Sequence, residues 1–581
     1  MVRVVLLWNQ SNTFGLSQDA KLLEVIMTAF GNSESVKYEI TYSDPLQPPT
    51  NADIVVHLEI PHPVWLPWAP VQIWMVNPEW CSPNWLPYAE QFTQVWLKEQ
   101  SRLAEFGANA RFVPWASRGP LKSILPETLG KRSALWVLGA SQNKHLAARA
   151  LLPLWPSDFP LTVTTTLEAG DLSGSFPDSV TVRRGFLEAD ELEELNQNSA
   201  IHVAISAAEG FGFTAAQAEA RGAAILLNTL PVYEETYRGC EYASFLFTPT
   251  TRPSKDHLGV LADFSEVTTQ DLVDALQVIP SGQKQIEKSD DRYRAMTETV
   301  RHLLKACMKK KNAPQSVQPT QSVQPTQSVQ PPLLHPNDAP SISVLTVTYK
   351  RRNFIDLAFI NMLTTDYPMS KIQWVIVDDS PATDSVLDKV RAFEARQPGC
   401  EITFIPMATK RSIGYKRNKA VQAAKHTICL NMDDDDVYPV TSFRRRVAWL
   451  LSNPKKQVVG CTMIAMYDLQ MGISAVNTPP WSLRQSERVS EASLCFYREF
   501  AVANPFPDVQ TSEGEGFVDA CQTGSTFLEI PPQQILVALN HGTNTSSRVI
   551  AGRAQTGCFW NWDTGFIKWL HGLVGVAVEE V

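Results

Sequence analysis

No run of about 18 consecutive apolar residues occurs in the chain, so no membrane-spanning helix is expected. The opening MVRVVLLWNQ turns polar too soon for a signal peptide and reads as a first buried strand. No CxxC pair occurs among the nine cysteines, which excludes a zinc ribbon. Their odd number and scatter argue against a disulfide framework, and a reducing compartment, the cytoplasm, is the simplest setting. Positive charge is not in excess. Lys and Arg total 51 against 60 Asp and Glu, giving a net charge of -9 and a pI near 5.7. A general nucleic-acid binder is therefore not expected. Glycine (28) is scarcer than proline (40), which points to extended connections.

What is present is enough for several cores. The 581 residues are 44% apolar and 19% charged, the balance of a globular chain of roughly three to five domains. One segment, 309–340, reads KKKNAPQSVQPTQSVQPTQSVQPPLLHPNDAP, with QSVQPT recurring every six residues. Proline this frequent forbids helix, and large apolar groups are too few for a core, so a disordered, semi-extended tether is expected. It divides the chain into lobes 1–308 and 341–581.

The first lobe alternates strand patterns (Val2–Trp8, Ile54–Leu58, Ala134–Leu138, Leu161–Thr166, Ile201–Ser206, Ala223–Leu227) with helical ones (Ser17–Phe30, Ala189–Gln197, Thr214–Arg221). Such alternation argues for parallel sheets covered by helices, and the length fits two halves, 1–120 and 121–308. In the second lobe the strand QWVIV runs into Asp378-Asp379, and HTICLNM runs into Asp433–Asp436. Both clusters sit past strand carboxyl ends, where open α/β sheets bind ligands. Four consecutive aspartates repel one another and suit a hard divalent cation, magnesium or manganese. Between the clusters, RSIGYKRNK opens a helix with Arg417, a pattern that favours phosphate.

The second lobe resembles inverting GT-A glycosyltransferases of family 2. The resemblance runs in order through VLTVTYKRRNFIDLAFINML, WVIVDDSPATD, IGYKRNKAV and NMDDDDVYP. It implies that Thr348, Asp378 or Asp379, Arg417 and Asp433 hold the nucleotide. It implies a cation on Asp433, Asp435 and Asp436, with Asp435 the first choice. The family's acidic catalytic base maps to Glu513, with Glu515 as the alternative two residues on. A late histidine on the metal or diphosphate maps to His541.

In the first lobe, a strand runs into Glu209-Gly210-Phe211-Gly212 and a helix starts near Thr214. Glycines let backbone approach a ligand, and the helix start attracts phosphate. The stretch VTVRRGFLEADELEELNQNSAIHVAISAAEGFGFTAAQAEARGAAIL resembles retaining GT-B glycosyltransferases of family 4, which use no metal. LWVLGASQNKHLAARALLPLW and FGLSQDAKLL add weaker resemblances to the donor-phosphate strand and the acceptor-half glycine loop. The match implies that Glu209 contacts the sugar, Gly210 and Gly212 shape the donor loop, and Lys144 meets the diphosphate. The family's second glutamate is replaced by Gln217, and Ala140-Ser141 stand where a basic residue is expected.

The resulting expectation is an α/β chain with two glycosyltransferase modules: a GT-B lobe of two Rossmann-like halves, a Pro/Gln-rich linker and a GT-A lobe. Its partners would be nucleotide-sugar donors and a glycan or glycoconjugate acceptor. Nucleic acid is not among them, and peripheral membrane contact stays open. The alternatives are a single active GT-A lobe beside a degenerate docking lobe, a non-catalytic glycan-binding scaffold, and a nucleotidyltransferase. The linker reading predicts that limited proteolysis cuts between the lobes and leaves stable fragments of about 34 and about 27 kDa, at roughly 110 Da per residue. Collapse of either fragment on cutting would reveal a shared core.

Overall fold

The computed structural model describes residues 1–10, 15–34, 36–45, 50–117, 121–167, 172, 174–246, 251–278, 282–312, 332–480, 483–521, 526–545, 554–558, 560 and 562–576. The chain divides into two compact units, essentially Met1–Ser328 (Pro63–Trp68 excepted) and Val329–Val581. Residues 313–331, most of the expected tether, lie outside the described residues, as does Phe14 of the expected acceptor-half glycine loop. Among the described residues no helix is long and apolar enough to cross a membrane.

The first unit holds two six-stranded parallel sheets. One is built from β1 (Val2–Leu7), β2 (Tyr38–Ser43), β3 (Ile54–Leu58), β4 (Val71–Val76), β5 (Gln94–Leu97) and β6 (Ala110–Phe112), in the order β2-β1-β3-β4-β5-β6. The other uses β7 (Ala134–Gly139), β8 (Leu161–Thr165), β9 (Val180–Arg184), β10 (Ile201–Val203), β11 (Ala224–Asn228) and β12 (Ala243–Leu246), ordered β12-β11-β10-β7-β8-β9. Strands such as VRVVLL are apolar on both faces because helices cover both sides of a parallel sheet. A small hairpin, β13 (Thr251–Pro253) with β14 (Val260–Ala262), follows.

The helix Gln283–Asn312 corrects the expected division of this unit. Its Met296, Val300 and Leu304 are buried with Val4, Leu6 and Ile54 of the first sheet. The chain thus returns from the second half to complete the core of the first. The same helix includes 309–312, which the sequence assigns to the linker; a lysine-rich end is compatible with a last helical turn.

The second unit is built on a seven-stranded sheet. Its strands are β15 (Ile342–Thr348), β16 (Ile372–Asp378), β17 (Glu401–Pro406), β18 (Ile428–Asn431), β20 (Val458–Gly460), β23 (Cys495–Tyr497) and β24 (Phe527–Glu529). The order is β17-β16-β15-β18-β23-β20-β24, with β17, β16, β15 and β18 parallel. A five-stranded sheet contains β19 (Asp436–Val437), β21 (Ile464–Asp468), β22 (Ile473–Asn477), β25 (Val537–Asn540) and β26 (Ala554–Thr556). Alternation along β16 feeds two cores: Trp374 and Ile376 on one face, Val375 and Val377 on the other.

This topology fixes where ligands can approach. From β15 the chain steps outward through β16 and β17, then crosses to β18 on the other side. The loops after β15 and β18 therefore part at their carboxyl ends and leave a crevice. The second sheet of the first unit repeats the arrangement between β7 and β10. Ile376→Ala, deep in the β16 core, should cost about 2–5 kcal/mol. Chemical denaturation followed by circular dichroism measures that loss.

Candidate functional site

A cavity of about 900 Å³ opens at the β15/β18 crevice of the second unit. Its wall includes Tyr349, Lys416, Arg417, Asp434, Glu491 and Glu513. Opposite the strands stands the helix Ile413–Ala423. Ser412 caps it by accepting the Tyr415 N–H (3.1 Å). A Cβ on Gly414 would overlap the Pro507 carbonyl, so glycine lets the helix start meet the 506–513 loop. Asn418 clamps that loop in both directions, donating to the Phe506 carbonyl (2.8 Å) and accepting the Phe506 N–H (2.9 Å). This docking brings Glu513, at the start of helix Glu513–Asp519, against Arg417.

The proposed nucleoside residues are tied into the floor. Asp378 accepts the N–H of Ser380 (2.9 Å), the hydroxyl of Ser385 (2.8 Å) and the N–H of Val386 (3.0 Å). Its carboxylate is thus spent on shaping its own loop. Asp379 pairs with Lys416 (2.8 Å) and accepts the Arg411 N–H (2.7 Å). Lys416 also donates to the Thr348 carbonyl (3.1 Å), linking β15 to the helix. Of the two aspartates, Asp379 ties the strand end to the helix that carries Lys416, while Asp378 is a loop brace.

Arg417 joins the rest. Only 3% exposed, it donates from Nε to Glu513 (2.8 Å) and from Nη2 to Asp433 (3.2 Å), while Nη1 has no hydrogen-bond partner. Burial alone would discharge it, but Asp433 and Glu513 outweigh burial and hold its proton more tightly than usual. The two candidate bases part company here. Glu513 is buried in this cluster. Glu515 is half-buried and turns to the Arg484 guanidinium, which also holds Asp519 (2.8 Å).

The four aspartates diverge. Asp433 meets Arg417. Asp434 is buried, its Oδ2 lacks a hydrogen-bond partner, and burial together with Asp435 pushes its carboxyl up to about 7. Asp435 meets His541 Nε2 (3.0 Å) and Arg351 (3.4 Å). Asp436 departs from the expected ligand set. It begins β19, and its fully buried carboxylate accepts the Leu539 N–H of β25 (3.1 Å), away from the cavity. Strand alternation turns it inward. His541 braces Asp435 and is itself set by Thr543 on Nδ1 (2.9 Å).

The donor set fits a hard cation: carboxylate oxygens, one of them buried and unpartnered. No three Asp, Glu, His or Cys side chains among the described residues converge as a cage. A cation held here would take one or two carboxylates and the remaining oxygens from a bound phosphate or water. The sequence reading missed Asp434, Glu491 and Arg351. Only Asp434 carried a signal, its place inside the DDDD run.

In the first unit, Lys144 lies in the first turn of the helix Gln142–Leu151 after β7, and Glu209, Gly210 and Gly212 lie in the loop after β10, on the two sides of that sheet's crevice. Lys144 donates to the Thr214 hydroxyl (2.8 Å), and Tyr233 donates to Glu209 (3.3 Å). Gly212 has φ 84° and faces the Tyr233 ring, so it requires glycine. Gln217 donates to Gln18 of the first half (3.3 Å). An unexpected residue enters: Glu79, from the first half, packs on Gly210, where a Cβ would overlap its carboxyl. Glu79 is 8% exposed, and its Oε2 has no hydrogen-bond partner. Burial first, then Glu209, holds its carboxyl well above the usual range.

Residues 343–477, in the second unit, match the family model for glycosyl transferase family 2. No curated protein matches the chain. Among solved structures the chain is similar to the mannosyltransferase PcManGT from Pyrobaculum calidifontis in complex with GDP-Man and Mn2+. There the identity is 20%, over 35% of this chain and 58% of that one, with a TM-score of 0.28. It is also similar to S. aureus TarS 1-349 in complex with UDP-GlcNAc, at 16% identity over 36% of this chain and 62% of that one, TM-score 0.28. The chain thus spans less than two thirds of either structure.

The Glu79 environment makes a pH prediction. Its folded proton affinity is raised, so the folded state binds more protons than the unfolded one above the ordinary carboxyl range. Stability from this group is full in acid and falls as pH rises. Glu79→Gln should therefore raise the melting temperature of the first unit at pH 8 by more than at pH 5. Equal shifts at both pH values would contradict a protonated Glu79.

Proposed function

We propose that the second unit transfers a sugar from a nucleoside diphosphate donor to a hydroxyl of a glycan or glycoconjugate acceptor, with inversion. The observation that carries this reading is the cavity itself. It gathers Asp433–Asp435, the buried Arg417 and Glu513 at the β15/β18 crevice, inside and beside the stretch that matches the family 2 model.

Residue roles follow from position. Thr348, Asp379 and Lys416 line or support the nucleoside end, with Asp378 bracing its loop. Arg417, whose Nη1 has no hydrogen-bond partner, is assigned to the diphosphate end. Asp433 and Asp435 are the proposed cation ligands, Asp434 standing between them and His541 orienting Asp435. When bound, magnesium or manganese would offset the charge of the departing diphosphate. Glu513 is the proposed base: it takes the acceptor proton as the acceptor oxygen attacks the anomeric carbon.

For the first unit, two specific contacts favour a docking or nucleotide-sugar-binding role over turnover. Glu79 fills the space over Gly210, and Gln217 is engaged by Gln18. The retaining GT-B reading, with Glu209 on the sugar and Lys144 on the diphosphate and no metal, is the alternative. It predicts a retained-configuration product that survives Glu513→Gln and is lost in Glu209→Ala. The docking reading predicts none.

The primary test is a screen of nucleotide sugars with manganese, reading released nucleoside diphosphate and product anomer. Asp435→Asn should remove most turnover and most manganese binding, the latter read by paramagnetic resonance. Glu513→Gln should slow transfer by roughly 10²–10⁴-fold with donor binding kept. Full turnover in excess chelator, or a retained product from the second unit, would overturn this reading.

A further inference from the structure

Two glutamates line the cavity at the start of helix Glu513–Asp519, and only one has a role so far. Glu491 lines the same cavity as Glu513. Its Oε1 accepts the N–H of Gly514 (3.2 Å). A Cβ on Gly514 would lie 2.6 Å from Glu491 Cγ and 2.9 Å from Oε1, so residue 514 must be glycine for this carboxyl to sit against the helix start. Ser512 precedes it at φ 60°, a left-handed turn rarely taken by residues with a side chain and often found at functional sites. The Glu491 carbonyl is fixed as well, accepting from Asn431 Nδ2 of β18 (2.9 Å) and the Leu494 N–H (3.2 Å). The backbone is thus built around the placement of this carboxyl.

The charges around it are unbalanced in a useful way. Arg417 pairs directly with Asp433 and Glu513. A guanidinium at hydrogen-bond distance favours the ionised form of a carboxylate. Glu491 is the second carboxyl, held one residue along on the Gly514 N–H. Burial first, then the Glu513 charge, pushes it up to about 7. Two interacting carboxyls titrate as a pair, and each raises the proton affinity of the other.

We propose that Glu491 is a positioning residue that acts through Glu513: the two form one carboxyl pair, and Glu491 offsets Arg417 so that Glu513 can take the acceptor proton. This rests on the transfer reading above. In the step itself, the acceptor O–H gives its proton to Glu513, and the acceptor oxygen forms the bond to the anomeric carbon. The bond from that carbon to the diphosphate oxygen breaks, and its electron pair leaves with the nucleoside diphosphate. Glu491 touches none of the reacting atoms. It sets how strongly Glu513 holds the proton between turnovers.

The test uses the full chain and two readouts. Infrared titration follows the protonated carboxyl band from pH 5 to 9 in wild type, Glu491→Gln and Glu513→Gln. A component disappearing near pH 7 in wild type should be absent in Glu491→Gln and move to lower pH in Glu513→Gln. Identical titrations in all three proteins would overturn the pair, whatever the catalytic result. With the donor found by the screen, Glu491→Gln should lower kcat by ~10-fold, leave the donor KM in place and move the acid limb of the pH–rate profile to lower pH. Gly514→Ala, which displaces the Glu491 carboxyl without removing it, should move the limb the same way. An unmoved limb in both variants would overturn the positioning role. If the wild type transfers from no donor, the transfer reading fails, while the infrared result still decides whether the pair exists.

Discussion

A buried guanidinium cannot stand without its carboxylates, and the site of the second unit is organised around that constraint. Arg417 is almost fully buried and draws Asp433 from the β18 loop and Glu513 from the start of the helix Glu513–Asp519. Removing one partner of such a buried pair typically costs about 3–5 kcal/mol, because the other charge is left uncompensated. The two loops are therefore pinned at one point although 80 residues separate Asp433 from Glu513 in sequence. The glycine at 414 and the Asn418 clamp serve the same end, since they let the 506–513 loop approach the helix that carries Arg417.

The second organising fact is topological. Each unit contains a sheet with a run of parallel strands whose order reverses, and in each the polar loops follow the two strands flanking the reversal. Backbone carbonyl ends and helix starts converge there, so carboxylates, lysines and glycines have somewhere to act. The difference between the units lies in what fills the crevice. In the second unit it is a cavity of about 900 Å³. In the first, the Glu79 carboxyl packs over Gly210, its proton affinity raised by burial and by Glu209.

Much of this was legible in the sequence because it is local. The buried strands announce themselves as apolar runs, and Ala189–Gln197 falls where the periodicity places it. Asp378, Asp379, Asp433 and Glu513 stand out because carboxylates after an apolar strand or before a helix are conspicuous. What stayed hidden depends on long-range packing. Nothing near Glu491 tells that Gly514 will close on it from 23 residues away. Glu79 meets Gly210 only once the two halves of the first unit are folded together. Asp436 looks like its three neighbours until β19 pairs with β25 and turns it into the interior. The helix Gln283–Asn312 reads as the end of the second half, whereas its apolar stripe completes the first.

The central claim is that the second unit binds a cation and a nucleoside diphosphate as one assembly, because its described residues offer one or two carboxylates and no closed cage. Binding of each must then tighten the other by the same factor. The most direct measurement is a manganese titration of the full chain, followed by paramagnetic resonance, with and without saturating uridine or guanosine diphosphate. The account predicts weak manganese binding alone and clearly tighter binding with one of the two nucleotides. Manganese affinity unchanged by both would contradict it.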